Sequence, residues 1–356
     1  MKLHLIGGFL GSGKTTAIGT AAKILIQRGI DAAAILNDQG NMLVDRQFVE
    51  QLGIPNGAVT GGCFCCNYHQ LSDEVDRLSD KASVVFAESV GSCTDLVATV
   101  LKPLLQLRKD SFEKITFSTF ADARLFHTWL KGEPLPFGDD TSYIWEKQLE
   151  ESEVLVINKI DLLSKTELEF LHKEAEEYTS RTFVFQNSLN EHAVRNWLEV
   201  LDNLPSRHHM AVSIDYDRYG AGEANLAWLD ESIDVNTKDN SAVAVARDLI
   251  ETIKSALRGE HIAVGHLKFH VQSDTGSTKV SYGSVPAHDS LPVLAIGDCN
   301  RLEIVVNARA EISPTRLREV VASSLDAVRA RHDVAISESD ISAFQPGYPR
   351  PAYRLA

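Results

Sequence analysis

The chain has 356 residues, 44% hydrophobic and 24% charged, with five cysteines and a formal net charge of −14. That length suits about two domains with cores of their own, and the acidity argues against nucleic acid as a partner. No run of about 18 apolar residues occurs, so no membrane helix is expected, and Gly-rich sequence starts too early for a signal peptide; a cytoplasmic location with reduced thiols follows.

Residues 3–6 read as a strand, followed by a Gly-rich turn and a helix from Thr15 to Arg28 that Gly29 closes. "AAAILN" is a second strand, Cys66 to Leu78 reads as a helix, and "SVVFAE" is an apolar strand suited to the centre of a parallel sheet. "DLVATVLKPLLQLR" is helical, with Pro103 expected to shorten or kink it. "KITFSTFAD", "EVLVINK" and "RTFVFQ" are further strands separated by helical patterns. This alternation over residues 1–203 predicts an α/β fold, a doubly wound and mostly parallel sheet.

Residues 204–225 are polar and Gly-containing, and are expected to form an irregular linker in which His208 and His209 carry no chemistry. Residues 226–345 predict a smaller α+β domain with a mainly antiparallel sheet. Its strands include "LAWLDESIDV", "HIAVGHLKFHV", "STKVSYGSV" and "RLEIVVNARAEI". Its helices run from Ser241 to Leu257 and from a Ser313 cap with Pro314 in the first turn. Residues 346–356, with three prolines, are expected to be extended.

"GFLGSGKT", Gly8 to Thr15, satisfies G-x-x-x-x-G-K-[ST] between a strand and a helix. Gly8, Gly11 and Gly13 let backbone N–H groups of the loop, Ser12 among them, face a phosphate at a helix N-terminus. Lys14 is expected to reach the β- and γ-phosphates, and Thr15 to ligate Mg²⁺. Glu88 ends an apolar strand, with Gly91 three residues on; an acid there assists Mg²⁺ and the glycine N–H senses the γ-phosphate. "NKID", after another strand, presents Asn158, Lys159 and Asp161. A carboxylate at Asp161 can accept from guanine N1–H and the exocyclic amine, a donor pair adenine lacks, while Lys159 lies along the base. Ser188 can offer its backbone N–H to the base. Asp38 stands where a switch loop meets Mg²⁺ or the attacking water, although a plain turn residue fits equally well.

Cys63, Cys65 and Cys66 crowd into "GGCFCC". Their spacing is too tight for one side of a regular strand or helix, but a loop entering a helix lets the sulfurs converge, and the helix end favours thiolate. Zn²⁺ is the leading ligand, with Co²⁺, Fe²⁺ or Cu⁺ behind it; redox use and simple packing are the alternatives. His69 can supply a fourth donor, but a surface histidine is the better reading. Cys93 and Cys299 are expected to pack. His266 and His270 share a strand face that excludes His261, so no histidine metal site is expected.

Together, "GGFLGSGKTT", "NDQG" with Asp45 beyond it, "GGCFCC", "ESVG" and "NKID" resemble the CobW-like GTPases of the SIMIBI class, which includes the urease and hydrogenase nickel-insertion GTPases. The resemblance covers about 200 N-terminal residues closely and the second domain in layout only. It implies slow GTP hydrolysis coupled to delivery of zinc or cobalt to a metal-requiring client protein. It assigns Cys63, Cys65 and Cys66 to the metal and Gly8 to Thr16, Glu88, Asn158, Lys159 and Asp161 to the nucleotide, bound as GTP or GDP with Mg²⁺. Three departures stand out: Asp38 replaces a glutamate, no His-rich tract is present, and "ESVGSCTDL" differs from the family's usual continuation. The competing readings are a P-loop kinase acting on a small molecule, and a nucleotide-binding redox or metal sensor without turnover. Client and oligomeric state are not legible.

Overall fold

A computed structural model describes residues 1–40, 44–177, 181–205, 211–284 and 293–355. The chain forms two compact units: residues 1–39, 49–222 and 348–356, and residues 40–48 and 223–347. No helix among the described residues is long and apolar enough to cross a membrane.

The first unit is built on seven parallel strands: β1 (Lys2–Gly8), β2 (Ala32–Asn37), β3 (Asn56–Val59), β4 (Val84–Glu88), β5 (Lys114–Asp122), β6 (Val154–Asn158) and β7 (Thr182–Gln186). They lie in the order β3-β2-β4-β1-β5-β6-β7. The helices are α1 (Lys14–Gln27), α2 (Val44–Gln51), which carries residues of both units, α3 (Tyr68–Ser79), α4 (Lys102–Leu107), α5 (Ala123–Leu130), α6 (Asp139–Glu150), α7 (Lys165–Glu177) and α8 (Glu191–Asn203). The central strands β2, β4 and β6 are buried along their whole length, because helices cover both faces of a parallel sheet. The helical reading around Pro103 resolves into a π-type turn over Val97–Leu101 that runs into α4.

The register sets the functional edge. Ile6 and Leu36 both pair with Glu88, and Asn37 pairs with Val59. The loops leaving β1, β2, β3 and β4 therefore start from one carboxyl edge, where ligands bind in such sheets.

The expected irregular linker is in part a helix, α9 (Tyr216–Asn225), seated by the Tyr143 hydroxyl, which accepts from Asp215 N–H at 2.7 Å. His208 and His209 lie outside the described residues. In the second unit β8 (Leu226–Asn236), β9 (Val264–Ser273), β10 (Gly276–Gly283), β11 (Arg301–Glu311) and β12 (Ala335–Phe344) form an antiparallel sheet in the order β10-β9-β11-β8-β12. Its helices are α10 (Ala242–Gly259) and α11 (Pro314–Arg331). Leu249, Ile253, Phe269, Ile304, Val306 and Val321 centre the core. Alternate residues of β11 point the other way: Arg309 pairs with Asp230 at 2.7 Å and lies 4.0 Å from the Trp228 ring centre.

Residues 40–48, assigned to the first domain from sequence, group with the second unit. Val44 N–H donates to Asn307 Oδ1 at 3.0 Å. The Asp45 carboxylate takes both Lys268 and Lys279, at 2.5 and 2.7 Å. Burial alone would raise that carboxyl, but the two ammonium groups outweigh it and hold it well below the ordinary range.

Candidate functional site

The phosphate loop connects β1 to α1. Gly13 precedes the helix with φ of 92°, and a Cβ there would stand 2.4 Å from Asn158 Nδ2, so both conformation and space require glycine. Lys14 folds back on the loop, donating to the carbonyls of Gly8 at 2.6 Å and Phe9 at 3.2 Å. Thr15 Oγ1 donates to Glu88 Oε1 at 3.0 Å, bringing together the hydroxyl and carboxylate assigned to Mg²⁺. Gly91 passes so close to this loop that a Cβ would lie 2.9 Å from Leu10 N. Ser12 is buried, and Gly11 and Thr16 are half-buried.

The "NKID" residues are tied to the same loop. Asn158 Nδ2 donates to Ser12 O at 2.7 Å, while Asn158 Oδ1 accepts from Ser188 N–H at 3.0 Å and Ser188 Oγ at 2.8 Å. The Ser188 carbonyl in turn accepts from Thr20 Oγ1 at 2.8 Å. Lys159, at φ 66°, donates to Gly11 O at 2.5 Å and Asp122 Oδ2 at 3.0 Å. Asp161 is exposed. Asp122 was missed in the sequence. Burial alone would raise its carboxyl, but Lys159 and Arg124 bring it below the usual range, so it holds Lys159 in place as a fixed anion.

The cysteine loop hangs from β2 and β3. Asn37 spans it: its Nδ2 donates to Val59 O at 3.0 Å and Gly62 O at 2.8 Å, and its Oδ1 accepts from Phe64 N–H at 2.8 Å. Asn37 gave no signal beyond its place at a strand end. Asp38 follows it, half-buried, with its N–H donating to Val59 O at 3.2 Å. A tight turn, closed by Asn67 N–H to Cys63 O at 2.8 Å, folds the three cysteines together just before α3. The sulfur separations are 2.7 Å for Cys63–Cys65, 3.3 Å for Cys63–Cys66 and 3.8 Å for Cys65–Cys66. Cys93, expected only to pack, is buried and brings its thiol within hydrogen-bonding reach of Cys63 and Cys65.

The charge distribution in this cluster differs from a uniform lowering by the helix end. Hydrogen bonds from the Cys65, Cys66 and Cys93 thiols hold Cys63 well below the usual thiol range. The same bond to Cys63 pushes Cys65 up, and pushes Cys66 up to about 11. A tetrahedral Zn–S site with bonds of about 2.3 Å has sulfurs about 3.8 Å apart. The donor set fits such a cation once the two shorter separations open by about 0.5 and about 1 Å. His69 is exposed and stays outside the sulfur cluster, its ring 5.8 Å from that of Tyr353.

The C-terminal segment lies across this loop. Arg350 N–H donates to Cys66 Sγ at 3.3 Å, and Ala352 N–H to Cys65 O at 2.8 Å. Tyr353 packs edge-on against Tyr68, with ring centres 5.0 Å apart. Arg354 pairs with the buried Asp95 at 2.7 Å. Composition had marked this segment only as extended. In the second unit His266 and His270 are buried on β9, and His261 sits outside that strand.

Residues 2–186 match the family described as CobW/HypB/UreG, nucleotide-binding domain, a span of more than half the chain. The chain belongs to that family. Its nucleotide-binding domain is thus the first unit's sheet, with the phosphate loop and the cysteine turn inside the matched span. Over 101 residues the chain is 34% identical to the zinc chaperone YjiA of Escherichia coli (strain K12), a stretch covering 27% of this chain and 31% of that protein. The chain therefore spans about a third of the length of the curated relative it matches. Among solved structures it is similar to the hydrogenase maturation factor HypB of Archaeoglobus fulgidus, with 18% identity, 57% of this chain and 90% of that chain covered, and a TM-score of 0.40. It is also similar to a Zn(II)-bound triple mutant of the YjiA GTPase, with 12% identity, coverage of 92% and 98%, and a TM-score of 0.36.

Proposed function

We propose that this chain is a GTP-hydrolysing metal carrier that takes up Zn²⁺ or Co²⁺ as cargo through Cys63, Cys65 and Cys66 and passes it to a metal-requiring client. The observation that carries the reading is that the phosphate loop and the thiol cluster leave the same edge of one parallel sheet, linked strand to strand by the Leu36–Glu88–Ile6 and Asn37–Val59 pairings. Lys14 would move from the loop carbonyls to the β- and γ-phosphates, and Thr15 with Glu88 would hold Mg²⁺, which supplies charge neutralisation at the phosphates. Gly91 N–H would meet the γ-phosphate. Asp38 would orient the attacking water, whose oxygen forms a bond to the γ-phosphorus as the bond to GDP breaks. Asp161 and Lys159 would select guanine, and Ser188 N–H would support the base.

Ordering of Asp38 and the Glu88–Gly91 loop by GTP would reshape the thiol site, since Asp38 follows Asn37, the residue that spans the cysteine turn. Linkage then requires that metal change GTP affinity by the factor by which GTP changes metal affinity, about 5–150-fold. Titration of GTP into the chain with and without one equivalent of Zn²⁺ or Co²⁺ tests this. Equal affinities in the two titrations refute the coupling.

A further inference from the structure

Cys93 sits in the loop after β4, two residues beyond Gly91. All of α3 and β4 separate it in sequence from the Cys63–Cys66 turn. Its thiol nevertheless hydrogen-bonds with both Cys63 and Cys65, in a region where all three residues are at most 3% exposed, although it stands outside the trio whose sulfurs all lie within 4.8 Å of one another and has to close on it to share a cation. A cysteine that only fills space is served by apolar neighbours; this one is directed at the two most buried sulfurs of the cluster.

The backbone holds Cys93 there. Its N–H donates to Val90 O at 3.1 Å. The buried Gln148 of α6 donates to Cys93 O at 2.8 Å and to Gly91 O at 3.0 Å. Beyond it Thr94 Oγ1 donates to Glu151 at 3.1 Å. The loop carrying this thiol is thus braced by Gln148 and Glu151.

We propose that Cys93 is a fourth sulfur ligand of the metal cargo, completing a tetrathiolate site with Cys63, Cys65 and Cys66. The assignment rests on the metal-carrier reading above and deepens it. Four sulfurs from two loops suit a tetrahedral Zn²⁺ or Co²⁺. On binding, the cation replaces the thiol protons, which leave to solvent. One ligand then belongs to the loop of Gly91, and a single amide, Gln148, grips the carbonyls of both residues. Displacement of Gly91 by a phosphate is thereby transmitted to one of four metal bonds, and the other three stay on a separate loop.

The test is a sulfur count by X-ray absorption on the full chain loaded with one equivalent of Co²⁺, together with the thiolate-to-cobalt charge-transfer absorbance. Four sulfurs are expected in the wild type and in Cys299→Ser. Three sulfurs and one lighter donor are expected in Cys93→Ser and Cys93→Ala, with the charge-transfer band about one quarter weaker. Three sulfurs in the wild type, or four in Cys93→Ser, overturn the assignment and leave the three-cysteine site standing. If the Cys93 variants fail to fold, Cys299→Ser decides alone, since a count of four there leaves only Cys93 as the additional ligand. A wild type that takes up no Co²⁺ refutes the metal-carrier reading itself.

Discussion

Replacing Asn158 by alanine should damage the fold of the nucleotide site while leaving its base preference intact. Asn158 is 1% exposed and makes three hydrogen bonds, one to Ser12 O and two from Ser188. Each is worth about 1 kcal/mol net, and the truncation also strands the buried Ser12 carbonyl and Ser188 N–H, so the loss is roughly 3 kcal/mol. Asp161→Asn is the opposite case: an exposed carboxylate whose removal should cost less than about 0.5 kcal/mol of stability. Urea denaturation gives both stabilities, and calorimetric titration with GDP and ADP gives the preference. Asn158→Ala should bind both nucleotides more weakly with the guanine-to-adenine ratio near wild type; Asp161→Asn should bind ADP as the wild type does and GDP more weakly. A stable Asn158→Ala that has lost guanine preference, or an Asp161→Asn that retains it, refutes this division of roles.

Other perturbations separate the remaining parts of the site. Gly91→Ala would bring a Cβ to 2.9 Å from Leu10 N and 3.0 Å from Leu10 Cα, and should lower stability by about 1–3 kcal/mol, with GTP affinity falling more than GDP affinity; equal losses for the two nucleotides would remove Gly91 from γ-phosphate recognition. A chain ending at Gly347 loses the Arg350 and Ala352 contacts to the cysteine loop, so alkylation of Cys66 should be several-fold faster than in the full chain; an unchanged rate would mean that the segment does not shelter the thiol. Burial pushes the Glu151 carboxyl from 4.5 up to about 8. The folded state therefore keeps a proton that the unfolded state has lost, and this stabilisation, complete below pH 4.5, disappears as pH rises to about 8, at up to about 1.4 kcal/mol per pH unit. Glu151→Gln, permanently neutral, should gain stability relative to the wild type over that window, and a pH-independent difference would show that Glu151 is ionised in the fold.

The sheet was legible where burial is continuous. β2, β4 and β6 are apolar along their length because both faces are covered, and no other short structure fits such runs between glycines and acids. β12 was not legible. Its sequence, AISESDISAF, is polar and mostly exposed, and its pairing with β8 gives it an identity that its composition does not. The linker reading of residues 216–225 failed for a related reason: glycines and polar residues suggested a coil, but Tyr219 is buried with Tyr143 and Ile144, and that packing holds a helix. Residues 40–48 were misassigned because Asp45 finds Lys268 and Lys279 only in three dimensions.

The phosphate loop and the cysteine turn were legible because their chemistry demands fixed residues at fixed spacing. The residues that join them to the scaffold were not, because a single polar side chain at a strand end has no period or spacing to betray it. Asn37 and Asn158 make the point together. Each ends a buried strand, and each uses both ends of one side-chain amide to clamp backbone on neighbouring loops: Asn158 the phosphate loop and Ser188, Asn37 the segment from Val59 to Phe64. A carboxylate in either place would lose the donor, and alanine would lose donor and acceptor alike. The two asparagines fix the loops to a sheet whose strands cannot slip without breaking the Leu36–Glu88–Ile6 row. Nucleotide site and thiol site are thus positioned by the same edge, and one loop, from Glu88 to Asp95, carries the proposed Mg²⁺ ligand, the glycine proposed to meet the γ-phosphate and Cys93.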